Sequence, residues 1–246
     1  MRMNSNYLYE GGNMYHLITG GSSGLGYEIA KHLILMDEHV IILGRNVDKL
    51  ENATNKLKEI SRKADVLSYS LDISIEEDID AFIDTLETSG KPIKQLYNVA
   101  GTTFYGKISD IHKEDIDKVL KSNMIGLMLF TSKMVGFMLN EPYEDKRIIS
   151  VLSTAALKGK KFETIYNAAK WGARGYLESL RDELTETKIE VINVFPGGMK
   201  TDFWKDSASG YDVDHFMDPA DVARNIVKVA MDTKVYVTDI TIGRPK

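Results

Sequence analysis

Short apolar runs alternate with longer stretches of helical spacing along almost the whole 246-residue chain. Such runs are typical of strands buried on both faces of a parallel sheet, and the stretches between them are typical of the helices that cover it. We therefore predict an α/β fold, a doubly wound, mainly parallel seven-stranded sheet with helices on both faces. The predicted strands are residues 14–19, 39–43, 66–71, 95–101, 147–152, 189–195 and 235–242.

The pattern predicts a single domain over residues 14–246, preceded by a loose, polar tail over residues 1–13. The predicted helices are residues 27–35, 48–63, 74–88, 115–140, 166–185 and 218–231. Residues 202–217 form a polar, glycine-containing insertion that nevertheless carries aromatic side chains, namely Phe203, Trp204, Tyr211 and Phe216. We interpret this segment as a substrate lid; a surface loop that packs its aromatic residues into a small cluster is the alternative.

Composition excludes several classes of function. The chain has no cysteine, which removes disulfides, thiol catalysis and cysteine-ligated metal, and which fits a cytoplasmic protein. The net charge is −5 and no basic block occurs, so we expect no nucleic-acid partner. No apolar run approaches the ~18 residues of a membrane span, so we expect no membrane segment. We expect no metal site.

A glycine-rich turn joins the first predicted strand to the first predicted helix. Its spacing is G-x-x-x-G-x-G rather than the G-x-G-x-x-G of other dinucleotide-binding turns. Strand, turn and helix is the context that a dinucleotide requires, because small residues let backbone N–H groups approach a pyrophosphate at the helix N-terminus. A plain tight turn remains the alternative from this segment alone. The residues expected to contact a cofactor are Gly20, Ser22, Ser23, Gly24, Leu25 and Gly26.

The end of the second predicted strand bears on which dinucleotide is bound. In such a sheet this end meets the adenosine ribose, where an acidic residue holds the 2′-hydroxyl of NAD and a cation holds the 2′-phosphate of NADP. The first charged residue here is Arg45, and Asp48 lies beyond it. We therefore predict NADP(H) rather than NAD(H); an arginine at the start of a surface helix is the other interpretation.

The candidate chemistry lies in the second half of the chain. Tyr166 and Lys170 are four residues apart and so share one face of a predicted helix, and Ser153 follows the fifth predicted strand. A hydroxyl acidified by a cation, a second hydroxyl that holds an oxygen and a phosphate-binding turn together suggest redox chemistry. Asn123 lies within the long helix 115–140, where asparagine is a weak helix former, so its place there suggests a function.

Taken together, these motifs resemble the short-chain dehydrogenase/reductase family, which has a Rossmann-type fold. The resemblance covers roughly residues 14–243. It rests on the turn 19–26, on Asp72, on the segment Asn98-Val99-Ala100-Gly101, on Asn123, Ser153, Tyr166 and Lys170, and on Pro196, Gly197 and Thr201. One departure is Val99, where the family often has a second asparagine.

The resemblance implies a catalytic tetrad of Asn123, Ser153, Tyr166 and Lys170. Tyr166 would be the general acid/base. Lys170, together with the positive nicotinamide when oxidised cofactor is bound, would lower the tyrosine pKa from about 10 and would also hold the nicotinamide ribose. Ser153 would hydrogen-bond the substrate oxygen, and Asn123 would fix a water that links Lys170 to solvent. Further cofactor contacts are implied for Asp72, Asn98, Ala100, Gly101, Pro196, Gly197, Met199 and Thr201.

The expected activity is hydride transfer between NADPH and a carbonyl or secondary alcohol substrate. A catalytically silent NADP-binding sensor or scaffold is the alternative, and a nucleotide-binding enzyme with other chemistry, such as a methyltransferase, is a third interpretation. The family also implies a homodimer or homotetramer through its long helices, which fits the apolar face of residues 124–139. The residues expected to line an apolar substrate pocket are Phe104, Tyr105, Ala155, Phe162, Trp204 and Phe216. Core packing explains each of them equally well.

Overall fold

The computed structural model of the protein describes residues 13–204 and 211–245. The predicted tail, apart from Asn13, and residues 205–210 of the predicted lid lie outside the described residues. The strands are β1 (Tyr15–Thr19), β2 (His39–Gly44), β3 (Val66–Ser70), β4 (Ile93–Asn98), β5 (Lys146–Val151), β6 (Ile189–Pro196) and β7 (Asp239–Ile242). The helices are α1 (Gly24–Ile34), α2 (Val47–Lys58), α3 (Glu76–Ser89), α4 (Lys113–Leu120), α5 (Gly126–Asn140), α6 (Thr164–Glu183) and α7 (Pro219–Met231).

All seven strands pair in parallel in one sheet, in the order β3-β2-β1-β4-β5-β6-β7. The chain builds outward from β1 to β3 and then returns to the other side of β1 with β4. The predicted seven-stranded, doubly wound architecture is therefore confirmed. A crevice forms where the strand order reverses, at the carboxyl ends of β1 and β4, and this is where ligands bind in open sheets of this kind.

Two hydrophobic layers hold the helices against the sheet. Successive strand residues point to opposite faces. Leu17, for example, packs in the layer with α3, α5 and α6, whereas Ile18 packs in the layer with α1, α2 and α7. Both residues are fully buried. Burial on both faces explains why the strands read as continuous apolar runs rather than alternating ones.

The long predicted helix at 115–140 is continuous but not uniform. It runs from Lys113 to Asn140, and the five residues Lys121–Ile125 between α4 and α5 form a π-helical turn. By length and composition alone this stretch could cross a membrane, with a mean hydropathy of 1.3 in its most apolar window, so it is more apolar than expected. Phe130, Met134 and Met138 in this stretch are fully buried in the core, so packing accounts for part of the apolar character; 44% of the apolar window is buried.

Two predicted boundaries differ from the structure by four residues or more. The last strand begins at Asp239 rather than at residue 235, and Val235 and Tyr236 are exposed in the connection before it. Tyr236 still contacts the sheet, because its hydroxyl donates to the carbonyl of Val191 at 2.9 Å. The second helix ends at Lys58 rather than at residue 63. Subunit contacts through the face of residues 124–139 stay a prediction; Ile125 and Leu139 are exposed there.

Candidate active site

A cleft of about 1220 Å³ opens at the carboxyl edge of the sheet, where β1 and β4 diverge. The loops that follow β1, β2, β3, β4, β5 and β6 all contribute to its wall. Every residue that the sequence assigned to catalysis or cofactor binding lines this cleft except Asn98 and Asn123. Residues separated by up to 181 positions, from Gly20 to Thr201, thus meet at one place.

The glycine turn is shaped by close backbone approaches. Gly20 and Gly24 have φ angles of +69° and +53°, which favour glycine. A Cβ on Gly26 would lie 2.3 Å from the carbonyl oxygen of Gly20, so only glycine lets α1 begin this close to the turn. The side chain of Ser23, the N-cap of α1, makes no capping bond, and the first turn of α1 has no acidic residue. The helix start can therefore face an anion.

Thr19, which was not among the predicted site residues, joins the turn after β1 to the loop after β4. Its hydroxyl accepts hydrogen bonds from the backbone N–H groups of Val99 (3.0 Å) and Ala100 (3.1 Å). Gly20 permits the same approach, since a Cβ there would lie 3.0 Å from the Cα of Ala100. The signal in the sequence was a buried strand that ends in threonine immediately before the glycines.

Cations flank the cleft beyond β2. Arg45 has a side chain that is 72% exposed, and its guanidinium lies 3.9 Å from the carboxylate of Asp72. Lys49 also lines the cleft, and Asn46 caps α2 by accepting the N–H of Lys49 at 2.8 Å. Burial raises the pKa of Asp72, but hydrogen bonds from Ser74 and the charge of Arg45 outweigh it and leave that pKa below its usual value.

Asn98 itself does not line the cleft, and the cofactor contact predicted for it stays a prediction. It is the last residue of β4, and its amide donates to the hydroxyls of Thr131 (2.9 Å) and Ser150 (3.1 Å) beneath the cleft floor. Its side chain is therefore used to tie β4 to α5 and β5. The residues that follow it, Val99, Ala100 and Gly101, form the cleft wall instead.

Tyr166 and Lys170 lie one turn apart on α6 and are almost fully buried, with exposed fractions of 5% and 4%. The ammonium of Lys170 lies 5.7 Å from the centre of the Tyr166 ring and donates to the carbonyl oxygen of Val151 at 3.2 Å. Ser153 follows β5, and its hydroxyl accepts the N–H of Ala155 at 3.1 Å. The three side chains reach the cleft from two neighbouring elements, β5 and α6.

Burial dominates the electrostatics of this group. It raises the pKa of Tyr166 above the ordinary value; a hydrogen bond with Ser153 lowers that pKa, and the charge of Glu163 raises it further. Burial also lowers the pKa of Lys170 to about 8. Tyr166 is therefore a neutral phenol at neutral pH in the cofactor-free protein, and the lowering of its pKa by Lys170 with bound oxidised cofactor stays a prediction.

Asn123 lies one layer behind the cleft, in the π-helical turn. Its amide donates to the carbonyls of Thr102 (2.8 Å) and Val119 (2.9 Å), while its buried Oδ1 has no hydrogen-bond partner. A Cβ on Gly101 would lie 2.6 Å from that oxygen and 3.8 Å from the Lys170 ammonium nitrogen, so Gly101 separates the two groups. An unsatisfied acceptor fits the predicted relay to Lys170, which stays a prediction.

Aromatic rings form the outer wall of the cleft. Phe203, Trp204, Tyr211 and Phe216 line it, and Phe203 meets the Tyr166 ring edge-to-face at 6.0 Å. Met217, at the end of this predicted lid, donates its N–H to the carbonyl of Gly198 (3.1 Å) and accepts the N–H of Lys200 (2.9 Å), so the lid returns to the segment just before it begins. Four of the predicted pocket residues lie behind the wall. Ala155 and Phe104 pack around Tyr166 in the core, whereas Tyr105 contacts both Phe162 and Tyr211.

Comparison with known proteins decides the family. Residues 15–212 match the model of the short chain dehydrogenase family. The chain belongs to the short-chain dehydrogenase family. The members of this family are oxidoreductases that use NAD(H) or NADP(H) and act on small molecules. The fold, the turn after β1 and the Ser153, Tyr166 and Lys170 group are thus parts of one short-chain dehydrogenase.

Several relatives of this short-chain dehydrogenase cover most of its length. A human 3-oxoacyl-[acyl-carrier-protein] reductase is 29% identical over 189 residues, 77% of each chain. An uncharacterized oxidoreductase of Staphylococcus aureus is 27% identical over 228 residues, 92% of this chain and 95% of the relative. Among solved structures, a short-chain dehydrogenase/reductase from Vibrio parahaemolyticus matches with a TM-score of 0.81 at 29% identity, covering 94% of this chain and 97% of the other.

An alcohol dehydrogenase from the archaeon Thermococcus sibiricus, solved with 5-hydroxy-NADP, has the same fold. Its TM-score is 0.83 at 18% identity, and the match covers 96% of this chain and all of the other.

Proposed function

We propose that this short-chain dehydrogenase is an NADP(H)-dependent carbonyl reductase that acts on a small ketone or aldehyde, or on the secondary alcohol in the reverse direction. The observation that carries the proposal is the phenol of Tyr166, buried in the cleft wall that Ser153 and Lys170 also line. The nicotinamide cofactor, when bound, supplies the hydride in reduction and accepts it in oxidation.

Tyr166 acts as the general acid in reduction. Its pKa lies above neutral pH, so the phenol carries its proton and can donate it to the carbonyl oxygen as that oxygen becomes an alkoxide. The hydroxyl of Ser153 holds the same oxygen. Lys170, with a pKa of about 8, is mostly protonated at pH 7, and its charge stabilises the phenolate that remains after proton transfer.

The residues of the cleft fit a dinucleotide. The glycine turn and the uncapped start of α1 suit a pyrophosphate. At the adenosine end, Arg45 and Lys49 suit a 2′-phosphate, and the carboxylate of Asp72 lies beside them in the wall. Gly44, Arg45, Asn46 and Val47 offer no acidic residue for a free 2′-hydroxyl, which supports NADP(H) over NAD(H).

We assign the nicotinamide end to the loop after β6. Its cleft residues are Pro196, Gly197, Met199 and Thr201. Outside them the aromatic wall favours a moderately apolar substrate. Together with the buried tyrosine and lysine, this arrangement supports turnover rather than a silent sensor, since a protein that only binds the cofactor has no need of a buried proton donor.

The test is oxidation of NADPH, followed by absorbance, against a panel of ketones, aldehydes and diketones. We expect turnover with NADPH and weaker turnover with NADH. Tyr166→Phe keeps the ring but removes the proton, so it should lose activity by a factor of about 10² or more and keep NADPH affinity within a few-fold. Equal rates for Tyr166→Phe and the wild type would remove Tyr166 from the acid role.

A further inference from the structure

The carboxylate of Glu163 lies in the wall of the cleft one helical turn before Tyr166. Glu163 was not among the predicted site residues. The residue is 1% exposed and lines the cleft, and its charge acts on the phenol of Tyr166. A buried carboxylate is costly unless its oxygens receive hydrogen bonds, so its partners are informative.

The two carboxylate oxygens of Glu163 differ in their hydrogen bonding. Oε1 accepts a hydrogen bond from the hydroxyl of Tyr211 at 2.8 Å. Oε2 is buried without a hydrogen-bond partner. The ammonium of Lys160 lies 3.9 Å from Oε2, beyond the 2.7–3.2 Å of a hydrogen bond, so it compensates the charge without satisfying the acceptor. What Oε2 lacks is a donor rather than a counter-charge.

The backbone holds this carboxylate in place. Phe162, just before it, has a φ of +69°, a conformation that side-chain-bearing residues rarely adopt. The carbonyl of Phe162 accepts the N–H of Gly106 at 2.9 Å, and the carbonyl of Glu163 accepts from the amide of Asn167 at 2.7 Å. Strain that the surroundings maintain is found most often at functional sites. Glu163 is thus a fixed acceptor in the cleft wall.

We propose that Glu163 determines substrate specificity by accepting a hydrogen bond, through Oε2, from a hydroxyl group of the substrate. The inference rests on the proposed carbonyl reductase activity. It names the substrate class as hydroxyketones or hydroxyaldehydes, and as diols in the reverse direction. Ser153 and Tyr166 hold the carbonyl oxygen, and the hydroxyl remains chemically unchanged.

A neutral hydroxyl fits better than an ammonium group. Lys160 already offsets the charge of Glu163, and Lys170 and Arg244 add further positive charge to the cleft lining. A cationic substrate would therefore meet net repulsion, whereas a hydroxyl would supply the missing donor. The rings of Trp204 and Phe216 in the same wall suit the carbon skeleton of the substrate.

The test compares 1-hydroxy-2-butanone with three analogues, 2-butanone, 1-methoxy-2-butanone and 1-amino-2-butanone. For the wild type, kcat/KM for the hydroxyketone should exceed that for 2-butanone by roughly tenfold or more, as expected for a hydrogen bond to a charged group. Glu163→Leu should remove this preference. In Glu163→Gln, Tyr211 keeps the amide oxygen and the amide N–H faces the substrate, so the hydroxyketone should lose its advantage over the methoxyketone.

Glu186 provides a matched control, because it is an exposed glutamate in the connection between α6 and β6. Glu186→Gln should leave the substrate ratios at their wild-type values. Equal ratios in the wild type and both Glu163 variants would overturn the inference while leaving the reductase intact. A wild-type preference for the aminoketone over the hydroxyketone would also overturn it, in favour of a cation site.

A binding measurement separates failure of the inference from failure of the proposed activity. If the wild type reduces no ketone with either cofactor, the proposed function fails and binding decides the role of Glu163. Trp204 in the cleft wall reports on binding by fluorescence in a Trp171→Phe background, since the chain has two tryptophans. Tighter binding of the hydroxyketone than of 2-butanone, lost in Glu163→Leu, would support the inference; equal binding would overturn it.

Discussion

Replacing Lys170 by methionine should stabilise the cofactor-free protein while removing its activity. The ammonium of Lys170 is buried, it donates one hydrogen bond, to Val151, and no ion pair joins it among residues 13–204 and 211–245. Its lowered pKa, about 8 against an ordinary 10.5, records the cost of that burial. Methionine has a similar length and no charge, so it should occupy the same space without the cost.

The size and sign of the effect follow from the two pKa values. The folded state holds the proton of Lys170 less tightly than the unfolded state, so folding is penalised at every pH below 8, and the penalty decreases as the pH rises from about 8 to 10.5. At pH 7 the penalty is about 3 kcal/mol, and at pH 9.5 roughly half of that. Losing the hydrogen bond to Val151 destabilises the variant by about 1 kcal/mol and so reduces this gain. Lys170→Met should therefore gain about 2 kcal/mol at pH 7 and close to none at pH 9.5.

Urea unfolding of the wild type and the variant, both without cofactor, measures this directly at pH 7.0 and 9.5. The exposed Lys228→Met on α7 is the control and should change stability little at either pH. Other titrating groups cancel because each comparison is made at one pH. A Lys170→Met protein that is less stable than the wild type at pH 7, or whose gain is the same at both pH values, would refute the reasoning. The variant should still lose activity, because function retains a group that costs stability.

Three further substitutions test the cleft, and a fourth, on α5, is a control. Arg45→Asp should move the preference for NADPH over NADH by about tenfold to a hundredfold toward NADH, measured as the ratio of kcat/KM values; an unchanged ratio would place the 2′-phosphate contact elsewhere. Gly101→Ala should reduce kcat by about 10² with a small change in Tm, because its Cβ would displace the Oδ1 of Asn123. Gly26→Ala should destabilise the protein by about 3 kcal/mol, because the new Cβ clashes with a backbone oxygen. Gly136 on α5 has open space around it, so Gly136→Ala should stabilise the protein by about 0.5–1 kcal/mol. Similar effects of the two substitutions in thermal unfolding would contradict this.

The architecture was predictable because each of its determinants is local. A strand buried on both faces must be apolar throughout, and a covering helix must be apolar on one side, so the alternation of the two fixes the sheet type. The parallel sheet then brings the carboxyl ends of its strands to one edge, which is why Gly20, Ser153 and Thr201 meet in one cleft. Motif order along the chain was therefore enough to place them.

Contacts that depend on which way a side chain points were not predictable in this way. Asn98 ends a strand at the cleft, but its side chain is directed beneath the floor. There its amide donates hydrogen bonds to the hydroxyls of Thr131 and Ser150. The last strand was drawn too long because its apolar run continues into residues that lie in an exposed connection. The direction of a side chain and the end of a strand depend on tertiary contacts, which spacing along the chain does not reveal.

Protonation states were the least predictable feature, since burial is a property of the folded chain. The family resemblance implied that Lys170, with bound oxidised cofactor, lowers the pKa of Tyr166. In the structure both groups are buried. Desolvation therefore raises the pKa of Tyr166 and lowers the pKa of Lys170, so burial favours the neutral form of each. Glu163, three residues from the tyrosine, adds to the rise. A neutral phenol beside a lysine that is still mostly protonated at pH 7 can give its proton to a carbonyl oxygen, which supports the proposed reduction.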